Sequence, residues 1–184
     1  MTTSTIHGTR TQSGDPRGDP WLTPDHFGQA AHEVIADLAA LADHRRRSQI
    51  VSLVSEALER RSTASPALRR RLTALATIYA DGFAPPQPAR LLGAEVEFFG
   101  VRFDLVWNTG THLWADEIKS AGSRLTPQIA HQCQRQLHAG QARWGAAFMG
   151  VRAVWLQTPG RALLISNTGR SRREADASAA TTAD

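Results

Sequence analysis

With 184 residues, 41% of them hydrophobic, the chain is long enough to bury one sizeable core. No run approaches the ~20 apolar residues of a membrane helix and residues 1–20 hold no apolar leader, so a cytoplasmic chain with no membrane partner is expected. A formal net charge of +4 favours polyanionic partners without naming one, and the single cysteine, Cys133, excludes an internal disulfide and a cysteine-built zinc site.

Residues 1–20 and 168–184 are dominated by small and polar residues and are expected to be disordered tails flanking one domain at 21–167. Its first part, 21–84, reads as helical. Thr23-Pro24-Asp25 combines a capping hydroxyl, a proline suited to the first turn and an acid near the positive end of the helix dipole. Ala31, Val34, Ile35, Leu38 and Leu41 recur at helical spacing, as do Ile50, Leu53, Val54, Ala57 and Leu58. Ser65-Pro66 opens a third run through Leu68, Leu72, Leu75 and Tyr79, which Gly82 closes. The arginine clusters 45–47 and 69–71 lie on these helices, either as solvated faces or as phosphate contacts.

The connector Ala84-Pro85-Pro86-Gln87-Pro88 cannot continue a helix, and after it the periodicity becomes β-like. Segments 94–99, 101–107 and 113–119 predict three consecutive antiparallel strands, turning at Phe99-Gly100 and at 108–111. Thr126-Pro127 starts a helix to about residue 139, the stretch 144–149 reads as core packing, and 151–157 with 161–166 predicts a closing hairpin. The part 85–167 is therefore expected to be an α/β core, and the whole an α+β domain with an N-terminal helical segment.

Every one of the 21 basic residues is arginine except Lys119. In a chain so biased, a retained ammonium marks a position where a broad planar guanidinium would not serve. If the turn closes with Trp107 facing His112, Asp104 lies opposite Ala115 and Arg102 opposite Glu117. Asp104, Glu117 and Lys119 then share one face, while Val101, Phe103, Leu105, Trp107, Trp114 and Ile118 form an apolar face for the N-terminal helices to cover. Two carboxylates so placed can hold a divalent cation, Mg²⁺ or Mn²⁺, and a nearby ammonium can aim at an attacking water. Asp116, on the apolar face, reads as structural. Glu95 and Glu97 point the same way if Phe99-Gly100 is a tight turn, one of them reading as a partner for Arg102 or a further ligand, and Glu117 has Arg102 as an alternative ion-pair partner. His112, His131 and His138 lack zinc-ligand spacing.

Phe103-Asp104-Leu105-Val106, followed by Asp116-Glu117-Ile118-Lys119-Ser120, resembles motifs II and III of the PD-(D/E)XK nuclease superfamily, although Phe103 stands where the eponymous proline would be. The resemblance implies a restriction-endonuclease-like α-β-β-β-α-β core and Mg²⁺-dependent phosphodiester hydrolysis, with Asp104, Glu117 and the Ile118 carbonyl as metal ligands and Lys119 as catalytic cation. In the exonuclease-type branch the following helix carries an active-site glutamine. Gln128, Gln132 and Gln136 form one stripe there, with Gln132 or Gln136 favoured. An acid from the first core helix is also usual, with Glu33 and Glu56 as candidates. The implied partner is nucleic acid, DNA foremost, with a homodimer compatible. The rival expectation is a non-catalytic nucleic-acid-binding or scaffold domain on the same fold.

Overall fold

The computed structural model describes residues 24–157, 160–166 and 172–173. Of the two expected tails, 1–20 lies outside the described residues, as does 168–184 apart from Arg172–Arg173. Three helices come first: α1 (Pro24–Ala40), α2 (Asp43–Arg60) and α3 (Pro66–Gly82). The Ser65 hydroxyl caps α3 by accepting from the Leu68 amide at 3.3 Å. Then follow β1 (Arg90–Phe98), β2 (Val101–Asn108), β3 (Leu113–Lys119), α4 (Pro127–Trp144), a 3₁₀ turn (Gly145–Ala147), β4 (Phe148–Trp155), β5 (Arg161–Ile165) and β6 (Arg172–Arg173).

The sheet runs β1-β2-β3-β4-β5-β6 in chain order. All its pairings are antiparallel except β3 with β4, which are parallel because α4 crosses over between them. The fold is thus mixed α/β. Leu105, Trp107, Ile118, Val154 and Leu156 meet the apolar stripes of α1, α2 and α3 on one side of the sheet. On the other side Phe103, Val106, Ala115, Val151, Ala153 and Trp155 pack with Cys133, Leu137 and Ala139 of α4. Both faces are covered, so β2 and β3 are buried almost throughout.

Several sequence expectations need correction. α4 continues past residue 139 to Trp144, since Gln141, Ala142 and Arg143 are good helix formers and Gly140 lies where a side chain would overlap the Phe148 ring. β1 begins at Arg90 rather than 94, and β4 at Phe148 rather than 151. The β2–β3 register is shifted by two: Trp107 faces Trp114 and Asn108 faces Leu113. Polar turn chemistry causes the shift. The Asn108 side chain accepts from the Gly110 amide at 2.6 Å, and the Thr109 amide donates to the His112 carbonyl at 3.0 Å, closing a four-residue loop. An even slip preserves the faces. Continued one step beyond Leu105↔Asp116, this register sets Asp104 level with Glu117.

The single apolar face predicted for β2 is also divided. Leu105 and Trp107 face α1–α3, whereas Phe103 and Val101 face α4. The alternation breaks at Asp104, where the β1–β2 ladder passes from Ala94↔Leu105 to Val96↔Phe103 and Glu95 adopts φ +50°.

Candidate metal centre

That break lifts Asp104 out of the regular ladder, and its buried carboxylate reaches across the widening gap to β3. Oδ2 accepts from the Ile118 amide at 2.7 Å, replacing the strand pairing that stops one residue earlier. From α1, His32 completes the junction. Its Nε2 lies 3.1 Å from the Ile118 carbonyl oxygen, an arrangement that makes Nε2–H the donor and leaves a lone pair on Nδ1. Nδ1 in turn stands 3.5 Å from a Glu95 oxygen and 3.6 Å from Asp104 Oδ1. An imidazole lone pair facing two carboxylates is repulsive unless a cation sits among them. A proton or a metal ion meets that need, and ligand atoms of His32, Glu95 and Asp104 lie within 4.8 Å of one another, a spacing that fits one ion.

Burial and the neighbouring Glu117 push the Asp104 carboxyl up to about 7, against the pull of His32 and the Ile118 amide. Glu117 is itself buried and engaged from the α4 side. Its Oε1 accepts from Lys119 Nζ at 2.5 Å and its Oε2 from Gln136 Nε2 at 2.5 Å. Lys119 also donates to Gln132 Oε1 at 3.2 Å, and Gln136 to the Arg102 carbonyl at 2.9 Å. Gln132 and Gln136 are one helical turn apart on α4, which explains how both reach the strand. Gln136 Oε1, fully buried, has no hydrogen-bond partner among the described residues.

Asp104, Glu117, Lys119, Gln132 and Gln136 therefore converge at the open end of β2 and β3. The Ile118 carbonyl is there too, held by His32. Of the first-helix acids, Glu33 lines one cleft with His32 and Glu95 while pairing with Arg60 and Arg61, and Glu56 accepts from Ser52 on the exposed side of α2. No protein-family model, characterised protein or solved structure matches this chain. Its chemistry must be argued from the cluster alone.

His32 is the candidate ligand that spacing arguments missed. Its position shares an α1 face with Gly28 and Ala36, and these line a cleft of about 630 Å³ with Gln29, Glu95 and Arg102. A histidine one helical turn from Gly28 and from Ala36 was the local sign. Glu95 pairs through its second oxygen with Arg102 at 3.2 Å, as one of its two expected roles required, while its first faces His32. The neighbouring Asp116 belongs to the opposite face. It accepts from Arg152 at 2.7 and 2.8 Å, from Trp107 Nε1 at 3.0 Å and from the Tyr79 hydroxyl at 3.1 Å, a structural network. Of the arginine clusters, Arg46 is buried against the Pro85 carbonyl, Arg69 donates to Ser55 and Arg71 covers the Phe27 ring.

Proposed function

We propose that this chain is a metal-dependent nuclease that hydrolyses phosphodiester bonds, DNA foremost, on a restriction-endonuclease-like α-β-β-β-α-β core. The observation that carries this reading is the grouping of His32, Glu95 and Asp104 around one possible ion position, with the Glu117–Lys119 pair beside Asp104. His32, Glu95 and Asp104 would hold Mg²⁺ or Mn²⁺, with Glu117 and the Ile118 carbonyl at the edge of the shell. The ion, when bound, supplies charge to offset that developing on phosphate and lowers the pKa of water. Lys119, tied to Glu117 and Gln132, would direct its ammonium at the reacting phosphate, and the free Gln136 Oε1 is a buried acceptor able to orient a water. Burial of both carboxylates keeps water from screening these charges.

The test is cleavage of plasmid and single-stranded DNA with Mn²⁺, Mg²⁺ or EDTA, by the parent chain and by Asp104→Asn and Lys119→Ala. Metal-dependent cleavage by the parent, reduced at least ~100-fold in both variants, is expected. Equal residual cleavage in all three would remove the reading. One observation favours the scaffold alternative: Glu117 has both oxygens engaged by protein groups, and Glu95 is paired with Arg102. Calorimetry separates the two, because a scaffold would take up no Mn²⁺ through Asp104.

A further inference from the structure

Phe98 and Val101 are paired, so Phe99 and Gly100 alone form the β1–β2 hairpin turn, with φ of +52° and +68°. A two-residue turn left-handed at both positions is of the I′ type, which favours Asn, Asp or Gly, and a bulky aromatic is an outlier there. Packing gives no reason for the exception. Phe98 fills the aromatic cluster with Phe103 and Trp144, whereas Phe99 is 71% exposed, the most exposed large apolar side chain among the described residues. Three arginines surround it: Arg135 of α4 donates to the Gly100 carbonyl at 3.3 Å, Arg143 lies over the Phe98 ring, and Arg102 is largely exposed, paired with Glu95 and facing Glu97 across the ladder.

We propose that the Phe99 hairpin tip is a base-stacking subsite for a single-stranded segment of nucleic acid, with Arg102 and Arg135 following its phosphates. This rests on the nuclease reading for the identity of the substrate. An exposed ring beside guanidinium groups fits a flipped or unpaired base, since every base offers a π-face and every linkage a negative charge. Gly100 is four residues along β2 from Asp104, ~13 Å at the usual strand rise, or about four phosphates at stacked spacing. Phe99 would therefore grip the strand about four nucleotides from the bond being cut and keep it unpaired there.

Phe99→Asn is the decisive variant because asparagine suits this turn better than phenylalanine, so its melting temperature should hold or rise. Binding is read by fluorescence anisotropy in EDTA, in an Asp104→Asn background that prevents cutting, with an oligothymidylate and an abasic strand of equal length. The expected result is a roughly tenfold loss of oligothymidylate affinity, a much smaller loss on the abasic strand, and recovery with Phe99→Trp. Unchanged affinity, an equal loss on both strands, or a lower melting temperature overturns the proposal. So does a dimer of the parent that Phe99→Asn dissolves without affecting affinity, which would make the tip a contact between copies of this chain. Cleavage by the parent chain with Mn²⁺ is scored separately. Phe99-dependent binding without any cleavage would sink the nuclease reading alone, and cleavage with Phe99-independent affinity would sink only this one.

Discussion

The Asp104 carboxyl keeps its proton to about pH 7 in the folded chain but would release it near 3.8 when exposed. Between those values the folded state holds a proton the unfolded state has lost, so metal-free stability should fall as pH rises from about 4 to about 7. A metal ion competes for the same oxygens, so Mn²⁺ should bind more tightly above pH 7 than below it. Thermal unfolding of EDTA-treated protein across this range, repeated with Mn²⁺, measures both trends. A metal-free melting point that climbs toward pH 7 contradicts the assignment. In the proposed site His32 would add an imidazole to an oxygen set, which would tilt it from Mg²⁺, with its preference for oxygen ligands, toward Mn²⁺. His32→Ala should weaken Mn²⁺ binding by at least ~10–100-fold in calorimetry and narrow the difference between the ions. Retained affinity would mean that His32 serves only to hold the Ile118 carbonyl. Asp104, Glu117 and Lys119 were legible because short-range strand spacing carries them to one place. His32 was not, because a separation of 86 positions from Ile118 leaves no mark in a local pattern.

At the level of elements, the helices were readable because caps and apolar spacing agree, as at Ser65 and Thr126, whose hydroxyls accept from Leu68 and Ile129. The β2–β3 turn was not, because Asn108 and Thr109 offer several closures and only their side-chain bonds select one. The face switch at Asp104 was equally hidden, since nothing in the residue types announces φ +50° at Glu95. α4 carries both glutamines, so its seating on the sheet sets the site's dimensions. Gly140 allows that seating, and a Cβ there would overlap the buried Phe148 ring, which stacks on Trp144 and has little freedom to swing. Gly140→Ala should therefore cost about 1–3 kcal/mol despite alanine's better helix propensity, and should reduce cleavage by drawing Gln132 and Gln136 away from Lys119 and Glu117. Urea unfolding with a matched activity assay checks this. A stability gain of the usual ~1 kcal/mol for Gly→Ala in a helix would show that α4 docks with room to spare.

Across the whole molecule, two buried aspartates on neighbouring strands sit on opposite terms with their surroundings. Asp116 ties three of its neighbours together, drawing on Tyr79 of α3, Trp107 of β2 and Arg152 of β4, while Arg152 also donates to the Phe83 carbonyl after α3. Asp104 instead faces the Glu95 and Glu117 carboxylates, which with burial outweigh the pull of His32 and the Ile118 amide. The same substitution should thus act in opposite directions. Asp116→Asn breaks a bidentate pair with a mostly buried guanidinium and should cost about 3–5 kcal/mol, lowering the melting temperature by roughly 6–20 °C in a chain of this size. Asp104→Asn keeps an acceptor for the Ile118 amide, gives the Glu95 carboxylate a donor and removes a repelled charge. It should raise metal-free stability at pH 8 by about 0.5–2 kcal/mol while abolishing Mn²⁺ uptake. Parallel melts in EDTA with calorimetry in Mn²⁺ read all four quantities. If both variants lose stability alike, Asp104 is a structural residue like Asp116, and the strain held at the open end of β2 and β3 has no functional counterpart.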